Sequence, residues 1–204
     1  MHTTVERHLD GHTNMARDAA LLDLAEQSGA FARVYSWDGP WVSLGRFQTP
    51  DRALRDPDGI PWVMRPTGGK AVLHGHDVTV GLACNLGLLG LSADTARRVS
   101  HVYRHIVGPL AAALTESGLT ASLAESTRFV RSAGKTADCF AHVSPNDVVD
   151  PATGIKVCGC ALRLTQRAVL LQASIPVRAP LVDPRIVFEA PHAPGPTRDL
   201  CEDA

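Results

Sequence analysis

Helical periodicity is scarce in this chain, and where it occurs it is isolated, which restricts the fold more than any other feature. One stretch, Met15 to Gln27, sets Ala and Leu against Arg17, Asp18, Asp23 and Glu26, with Asn14 placed as its N-cap and Gly29 just past its end. A second runs on from Ser92, read as its cap, with Val99, Val102, Ile106, Leu110 and Leu114 on one face and Gly118 at its exit. Pro109 lacks an amide hydrogen and is expected to bend or break this helix. The rest reads as strands and turns. Val34–Trp37 and Trp41–Leu44 flank the turn Asp38-Gly39-Pro40, and Trp62–Arg65 and Ala71–His74 flank a loop. Val78, Val80, Leu82 and Cys84 alternate with smaller or polar residues, the period of a half-buried strand. Asp147–Val149, a turn at Pro151–Gly154, Lys156–Leu162 and Ala168–Val177 follow, the last two as antiparallel neighbours joined near Thr165-Gln166. Strands with few, separated helices predict an α+β domain with a mixed, largely antiparallel sheet and flanking helices, not a doubly wound sheet.

At 204 residues the chain has the size of one domain. We place that domain at 1–190 and a tail at 191–204, where Pro191, Pro194 and Pro196 favour irregular structure. A net charge of -1 gives no electrostatic footprint for nucleic acid or an anionic membrane surface. No apolar run is long enough to span a bilayer. Met1–Asp10 carries charges and histidines where a signal peptide needs an apolar core, so a cytoplasmic location is expected. The cysteines (Cys84, Cys139, Cys158, Cys160 and Cys201) are odd in number and lack a disulfide or zinc spacing, so they are expected as thiols and no metal site is expected.

Three segments bear chemistry. In Arg65-Pro66-Thr67-Gly68-Gly69-Lys70 the adjacent glycines permit close backbone approach to a ligand, and Arg65 and Lys70 supply positive charge suited to a phosphate or carboxylate. Taken alone, this string fits an ordinary hairpin turn better, and it is neither a P-loop nor a dinucleotide fingerprint. In Lys156-Val157-Cys158-Gly159-Cys160-Ala161, a lysine entering an apolar strand of small residues sets an ammonium where it can meet an acyl oxygen. A solvated strand-end lysine is the plainer reading of that string by itself. In Asp138-Cys139-Phe140, followed by Ser144-Pro145-Asn146-Asp147, the cysteine is a nucleophile if a cation lowers its pKa and a structural thiol otherwise.

Taken in order, these strings resemble the biotin/lipoate A/B protein ligase family from about Asn14 to Val177. The resemblance is carried by Asn14-Met15-Ala16, Ser43-Leu44-Gly45-Arg46-Phe47-Gln48, Arg65 to His74, and Lys156 to Ala161 with Arg163. It implies a fold related to biotin ligases and class II aminoacyl-tRNA synthetases, with 1–190 a single catalytic domain. It further implies that Lys156 contacts the acyl group and that Thr67–Lys70 lines its pocket, with Arg65, His74, Gly159 and Ala161 in the same matching strings. Two activities are implied by the family. Octanoyltransferases take octanoate from acyl carrier protein through a cysteine thioester and need no cofactor, and Cys139-Phe140 resembles that branch. Lipoate-protein ligases use ATP and magnesium, which would place Arg65, Lys70, Asn146 and Asp147 near the nucleotide. Both deliver to a lysine of a lipoyl domain or the glycine-cleavage H protein, and a non-catalytic acyl- or carrier-binding protein is a third reading. Cys160 stands where the family usually has serine, so Cys158 and Cys160 rival Cys139 as nucleophile. The acid that usually follows the loop histidine is displaced to Asp77 by Gly75 and His76.

Overall fold

The computed structural model describes residues 1–91, 93–129 and 136–189. In chain order the elements are β1 (His2–Leu9), α1 (Gly11–Gln27), β2 (Ala30–Trp37), β3 (Val42–Leu44), α2 (Pro50–Ala53), β4 (Trp62–Met64), β5 (Val72–Leu73) and β6 (Asp77–Asn85). After a 3-10 turn at Leu86–Leu89 come α3 (Ala93–Ala96), α4 (Val99–Glu116) and β7 (Ser122–Leu123). A second 3-10 turn at Ala124–Ser126 precedes β8 (Val148–Val149), β9 (Lys156–Leu164), β10 (Ala168–Pro176) and α5 (Pro184–Val187). Ser92, Cys201 and the tail prolines lie outside the described residues.

The expected α+β architecture is present. A large sheet has the order β1-β2-β6-β10-β9-β8-β7, parallel only between β1 and β2, and a small sheet has the order β4-β3-β5. Helices cover both faces of the large sheet. On one, Val102, Ile106, Val107, Ala111 and Leu114 of α4 pack against Val169, Leu171 and Ala173 of β10. On the other, Leu22 and Ala25 of α1 pack against Ala83, Ala168 and Leu170. β10 is therefore buried on both sides, and its near-continuous apolar run follows from that. Among the described residues no helix is long and apolar enough to cross a membrane.

Several local expectations change. α1 starts at Gly11, and Asp10 caps it by accepting the Thr13 amide at 2.9 Å. Asn14, one turn inside, is fully buried: its side-chain oxygen accepts from Arg33 Nη2 at 2.8 Å and its amide donates to the Leu9 carbonyl. Asp18 also faces inward, pairing with Arg33 at 2.7 Å and accepting from Tyr35 and Gln172. A polar side chain wholly satisfied in the core looks like a surface residue in the sequence. Pro109 neither breaks nor ends α4, which continues to Glu116. It lies on the exposed side, where water can serve the carbonyl that its missing amide leaves free. The two strands that flank Asp38–Pro40 lie in different sheets, β2 in the large one and β3 in the small one. β1 has no counterpart among the expected strands, because its residues are mostly exposed on an outer edge and carry no apolar alternation.

Asn14→Ala removes the partner of a buried guanidinium and is expected to lower stability by about 1–3 kcal/mol in urea denaturation. Asp10→Ala removes a half-buried cap and is expected to lower the Tm by less.

Candidate active site

Arg65 follows β4 and is 4% exposed. Its guanidinium donates to the carbonyls of Ser43 (2.8 Å), Gly68 (2.6 Å) and Lys70 (2.6 Å), and to Thr67 Oγ1 (3.1 Å). Burial pulls its pKa below the ordinary value. The residue thus spends its donors on the loop that follows it, pinning Thr67–Lys70 over β3. Gly45 permits this closeness, since a Cβ there would lie 2.0 Å from the Gly69 carbonyl oxygen. Thr67, fully buried, donates its hydroxyl to Gln172 Oε1 at 2.6 Å, and so joins the loop through Gln172 to Asp18 of α1.

The loop in turn places Cys139. Ala71 donates to the Ala137 carbonyl and accepts from the Cys139 amide, each at 2.8 Å, an isolated parallel bridge. From β9, Lys156 Nζ reaches Cys139 Sγ (3.3 Å), the Cys139 carbonyl (2.9 Å), the His142 carbonyl (3.4 Å) and Asp147 Oδ2 (2.8 Å). The pair is sealed, with side chains 3% and 2% exposed for Lys156 and Asp147. Phe140 lies under the ammonium at 5.1 Å, a cation–π contact. Gly159 supplies the space: a Cβ there would meet Lys156 Cε at 3.2 Å and the Phe140 ring at 3.3 Å.

The charges of this cluster follow from burial and neighbours. Burial works against the Lys156 charge, but Cys139 and Asp147 outweigh it and hold the ammonium above its ordinary range. Burial likewise pushes the Cys139 thiol up, with Asp147 adding to the rise and Lys156 and Arg65 opposing it. Burial thus favours the thiol at Cys139, while the Lys156 and Arg65 cations favour the thiolate. Burial, then Lys156 and Lys70, lower the His142 pKa and favour its neutral ring.

A second buried chain lies beside the loop. His74 Nδ1 meets Asp77 Oδ2 at 2.8 Å, and Nε2 meets Ser43 Oγ at 2.8 Å, while Trp37 stacks on the ring at 3.9 Å. The displaced acid Asp77 therefore still reaches the histidine, and it also accepts from Thr79 and Ser174 hydroxyls. Although serine, histidine and aspartate stand in the order of a nucleophilic triad, Ser43 is 2% exposed, its hydroxyl lies between His74 and Arg65, and its carbonyl also accepts from Arg65. We read it as a support for the arginine. Between this chain, α1 and β9 lies a mostly apolar cavity of about 20 Å³ walled by Met15, Val72, Gly159, Ala161 and Gln172, among others.

The structure brings Cys139, Lys156 and Asp147 into direct contact, and Arg65, Thr67, Gly68, Gly69 and Lys70 into one hydrogen-bonded loop. Ala161 joins the two groups, as a Cβ built on Gly69 would stand 3.7 Å from the Ala161 Cβ. His74 belongs to the neighbouring chain around Asp77. Asn146 is half-buried in the turn before Asp147. Cys158 and Cys160 stand with sulfurs 3.6 Å apart, packed with the α4 core, and Cys160 is pushed well up by its bond to Cys158 and by burial. His142, Ser43 and Phe140 escaped notice as site residues. The one signal for Ser43 was its place in the Ser-Leu-Gly-Arg string, and His142 had none.

The Lipoyl protein ligase A/B catalytic domain matches residues 10–190, which include every residue just described. The chain belongs to that family. Among similar members, Octanoyltransferase LipM of Kyrpidia tusciae is 35% identical over 172 residues, 78% of this chain and 59% of the relative. Its namesake in Moorella thermoacetica is 32% identical over 178 residues, 81% of this chain and 61% of the relative. The chain thus spans about three fifths of the length of these curated relatives. Among solved structures, a lipoate protein ligase of T. acidophilum with bound lipoic acid superposes with a TM-score of 0.73 at 18% identity, covering 99% of this chain and 77% of that one. A lipoate-protein ligase A bound with ATP gives 0.70 at 20% identity, covering 100% and 78%. The chain shares the fold of these two structures.

In this family member the buried acid gives a pH test. Burial raises the Asp77 pKa, but the His74 charge and the His74 and Ser174 hydrogen bonds bring it down to about 2. A depressed carboxyl stabilises the fold above its unfolded pKa, near 3.8, and the gain disappears as pH falls through about 2. Its size is about 2 kcal/mol. Asp77→Asn is therefore expected to destabilise the protein at pH 7 and to flatten the loss of stability between about pH 4 and pH 2 in urea titrations.

Proposed function

We propose that this chain is an octanoyltransferase that carries an octanoyl group from an acyl thioester, with acyl carrier protein as donor, to a lysine of a lipoyl carrier protein, through an S-acyl intermediate on Cys139. The observation that carries this reading is Lys156 Nζ at 3.3 Å from Cys139 Sγ, with Asp147 Oδ2 paired to the same ammonium at 2.8 Å. A thiol that meets its cation only inside a dry pocket becomes a nucleophile there. The similarity to proteins named octanoyltransferase supports the acyl group chosen.

In this mechanism the Cys139 thiolate attacks the donor carbonyl and the carrier thiol leaves. Lys156 steadies both the thiolate and the oxygen that gains charge, because its ammonium stands beside the sulfur and stays protonated. The acyl chain runs into the apolar cavity walled by Val72, Gly159 and Ala161. As it stands that cavity holds about one water, so the chain must displace side chains, and Met15 is the most adaptable of them. The acceptor, a lysine of a lipoyl domain or of the glycine-cleavage H protein, then attacks the S-acyl group.

The ATP-dependent ligase is the competing reading on this fold. Two of the four residues expected to serve a nucleotide and magnesium are engaged elsewhere. Arg65 is committed to backbone carbonyls, and Asp147 is buried against Lys156 and the Ser144 amide. No step is derived through ATP.

Supplying apo lipoyl domain with either octanoyl carrier protein, or lipoate, ATP and magnesium, tests the assignment. Transfer from the thioester alone is expected, and lipoylation only with ATP would favour the ligase. Lys156→Ala is expected to slow transfer by about a hundredfold or more. Lys156→Arg should not restore it, because a planar fork does not fit between Cys139, Asp147 and the His142 carbonyl. Gly159→Ala is expected to push Lys156 and Phe140 apart and to cut the rate about tenfold, with a smaller effect on the Tm.

A further inference from the structure

Phe47 is 80% exposed, an uncovered aromatic ring beside the active centre. It lies against the glycine loop: a Cβ built on Gly68 would stand 3.9 Å from the ring, and the Arg46 amide donates to the Thr67 carbonyl at 3.0 Å. The exposed Arg46 guanidinium stacks on the same ring at 4.5 Å. Gly69, next along and itself exposed, borders the cavity wall at Ala161, and Ala71 bonds the Cys139 backbone. The pair therefore stands on the rim of the centre. Two more cations share that rim. Lys70 ends the loop, and Arg163 lies two residues beyond Ala161 on the same face of β9. Between them the Leu162 carbonyl accepts the Gly68 amide at 3.5 Å. Among the described residues no carboxylate pairs with Arg46, Lys70 or Arg163. A chain of net charge -1 thus gathers positive charge around one loop. With the buried Lys156 and Arg65, that charge repels a lysine arriving in its ordinary form as an ammonium. Carboxylates around the lysine overcome the repulsion, because they pair with the rim. A thioester is uncharged and meets no such barrier, so the rim bears on the acceptor more than on the donor.

We infer that Phe47 and Arg46, with Arg163 beside them, form the docking surface for the acceptor, a carrier protein with an acidic face around its target lysine. This rests on the acyl-transfer reading, which supplies a lipoyl carrier protein as that partner. Phe47 is the apolar anchor that docking covers, and the two arginines pair with the carboxylates of the carrier. Aromatic rings and arginines are the residue types in which interface energy concentrates. The surface acts on the encounter and residence of the carrier and not on the bond changes at Cys139.

The two carriers separate with a small donor. The full-length protein is loaded with the octanoyl thioester of N-acetylcysteamine or, in parallel, with octanoyl carrier protein. The acyl-enzyme is then mixed with apo lipoyl domain or with Nα-acetyl-lysine amide. Phe47→Ala and Arg46→Glu are expected to load from the small donor as wild type does, which also shows that they fold. Each should lower the second-order rate constant for the lipoyl domain about tenfold or more, with transfer to the small amine no slower than in wild type. Raising salt from about 0.05 M to about 0.5 M should slow wild-type transfer to the lipoyl domain and spare that of Arg46→Glu. A lipoyl domain with lysines in place of the acids around its target should be slow with wild type and recover in part with Arg46→Glu. In Cys139→Ser, where no acyl group moves, apo lipoyl domain should still bind in a calorimetric titration, and adding Phe47→Ala should weaken that binding about tenfold. Wild-type rate constants for the lipoyl domain in both variants would overturn the inference. So would an equal loss with the small amine, which would put these residues in the chemistry, or a loss confined to loading from octanoyl carrier protein, which would give the surface to the donor. If wild type never forms an acyl-enzyme on Cys139 while Cys139→Ser binds the lipoyl domain through Phe47, the S-acyl reading falls and the docking surface stands.

Discussion

A guanidinium sealed from water has to find its hydrogen-bond partners inside the protein, and Arg65 finds them in the carbonyls of Ser43, Gly68 and Lys70. Among the described residues no carboxylate pairs with it, so backbone carbonyls, with the Thr67 and Ser43 hydroxyls, carry the charge. Those partners come from two separate segments, which makes the arginine a joint between the small sheet and the glycine loop. Ala71, at the end of that loop, then fixes the Cys139 backbone by a pair of hydrogen bonds. The position of the sulfur beside Lys156 therefore depends on a charge that never touches it.

The same loop is tied on its other side to the large sheet. Thr67 bonds Gln172, Gln172 bonds Asp18, and Asp18 shares Arg33 with Asn14 and Glu6. A buried network of this kind is rigid while every member is satisfied, and expensive to break at any one of them. Rigid polar walls set beside a small, mostly apolar cavity give the site an asymmetry, with hydrogen-bonded groups on one side and apolar side chains on the other. Such fixity suits the acyl transfer proposed above, because a misplacement of about 1 Å in a reacting group can cost on the order of a hundredfold in rate.

The sequence made visible what packing writes into pattern. The apolar faces of α4, β6 and β10 announced themselves through their periods, and the glycine string and the lysine of β9 through their company. Residues whose structural role contradicts their chemistry stayed hidden. Asn14 and Asp18 read as a cap and a surface charge because a helix gives no sign that its polar side faces a buried arginine. Arg65 and Asp147 read as ligand groups because a charge beside glycines or in a loop is ordinarily solvated, whereas both are here consumed within the protein. Polar β1 lacked an apolar alternation, and its pairing with β2 depends on main-chain bonds that composition does not record. His142 was invisible for a different reason: its place is set by the chain turning back from Cys139, which no spacing rule anticipates.

On the proposed mechanism Cys139, and not the paired thiols of β9, receives the acyl group. Cys158 is fully buried in the α4 core, and Cys160 is held as a thiol by its neighbour, whereas Cys139 faces two cations. The most direct measurement is intact-mass spectrometry of the protein after brief exposure to octanoyl carrier protein, followed by peptide mapping of the added group. A single octanoyl mass on the peptide bearing Cys139, absent in Cys139→Ser, is the predicted result. An octanoyl group mapped to Cys158 or Cys160, or transfer to the carrier by Cys139→Ser at the wild-type rate, would contradict it.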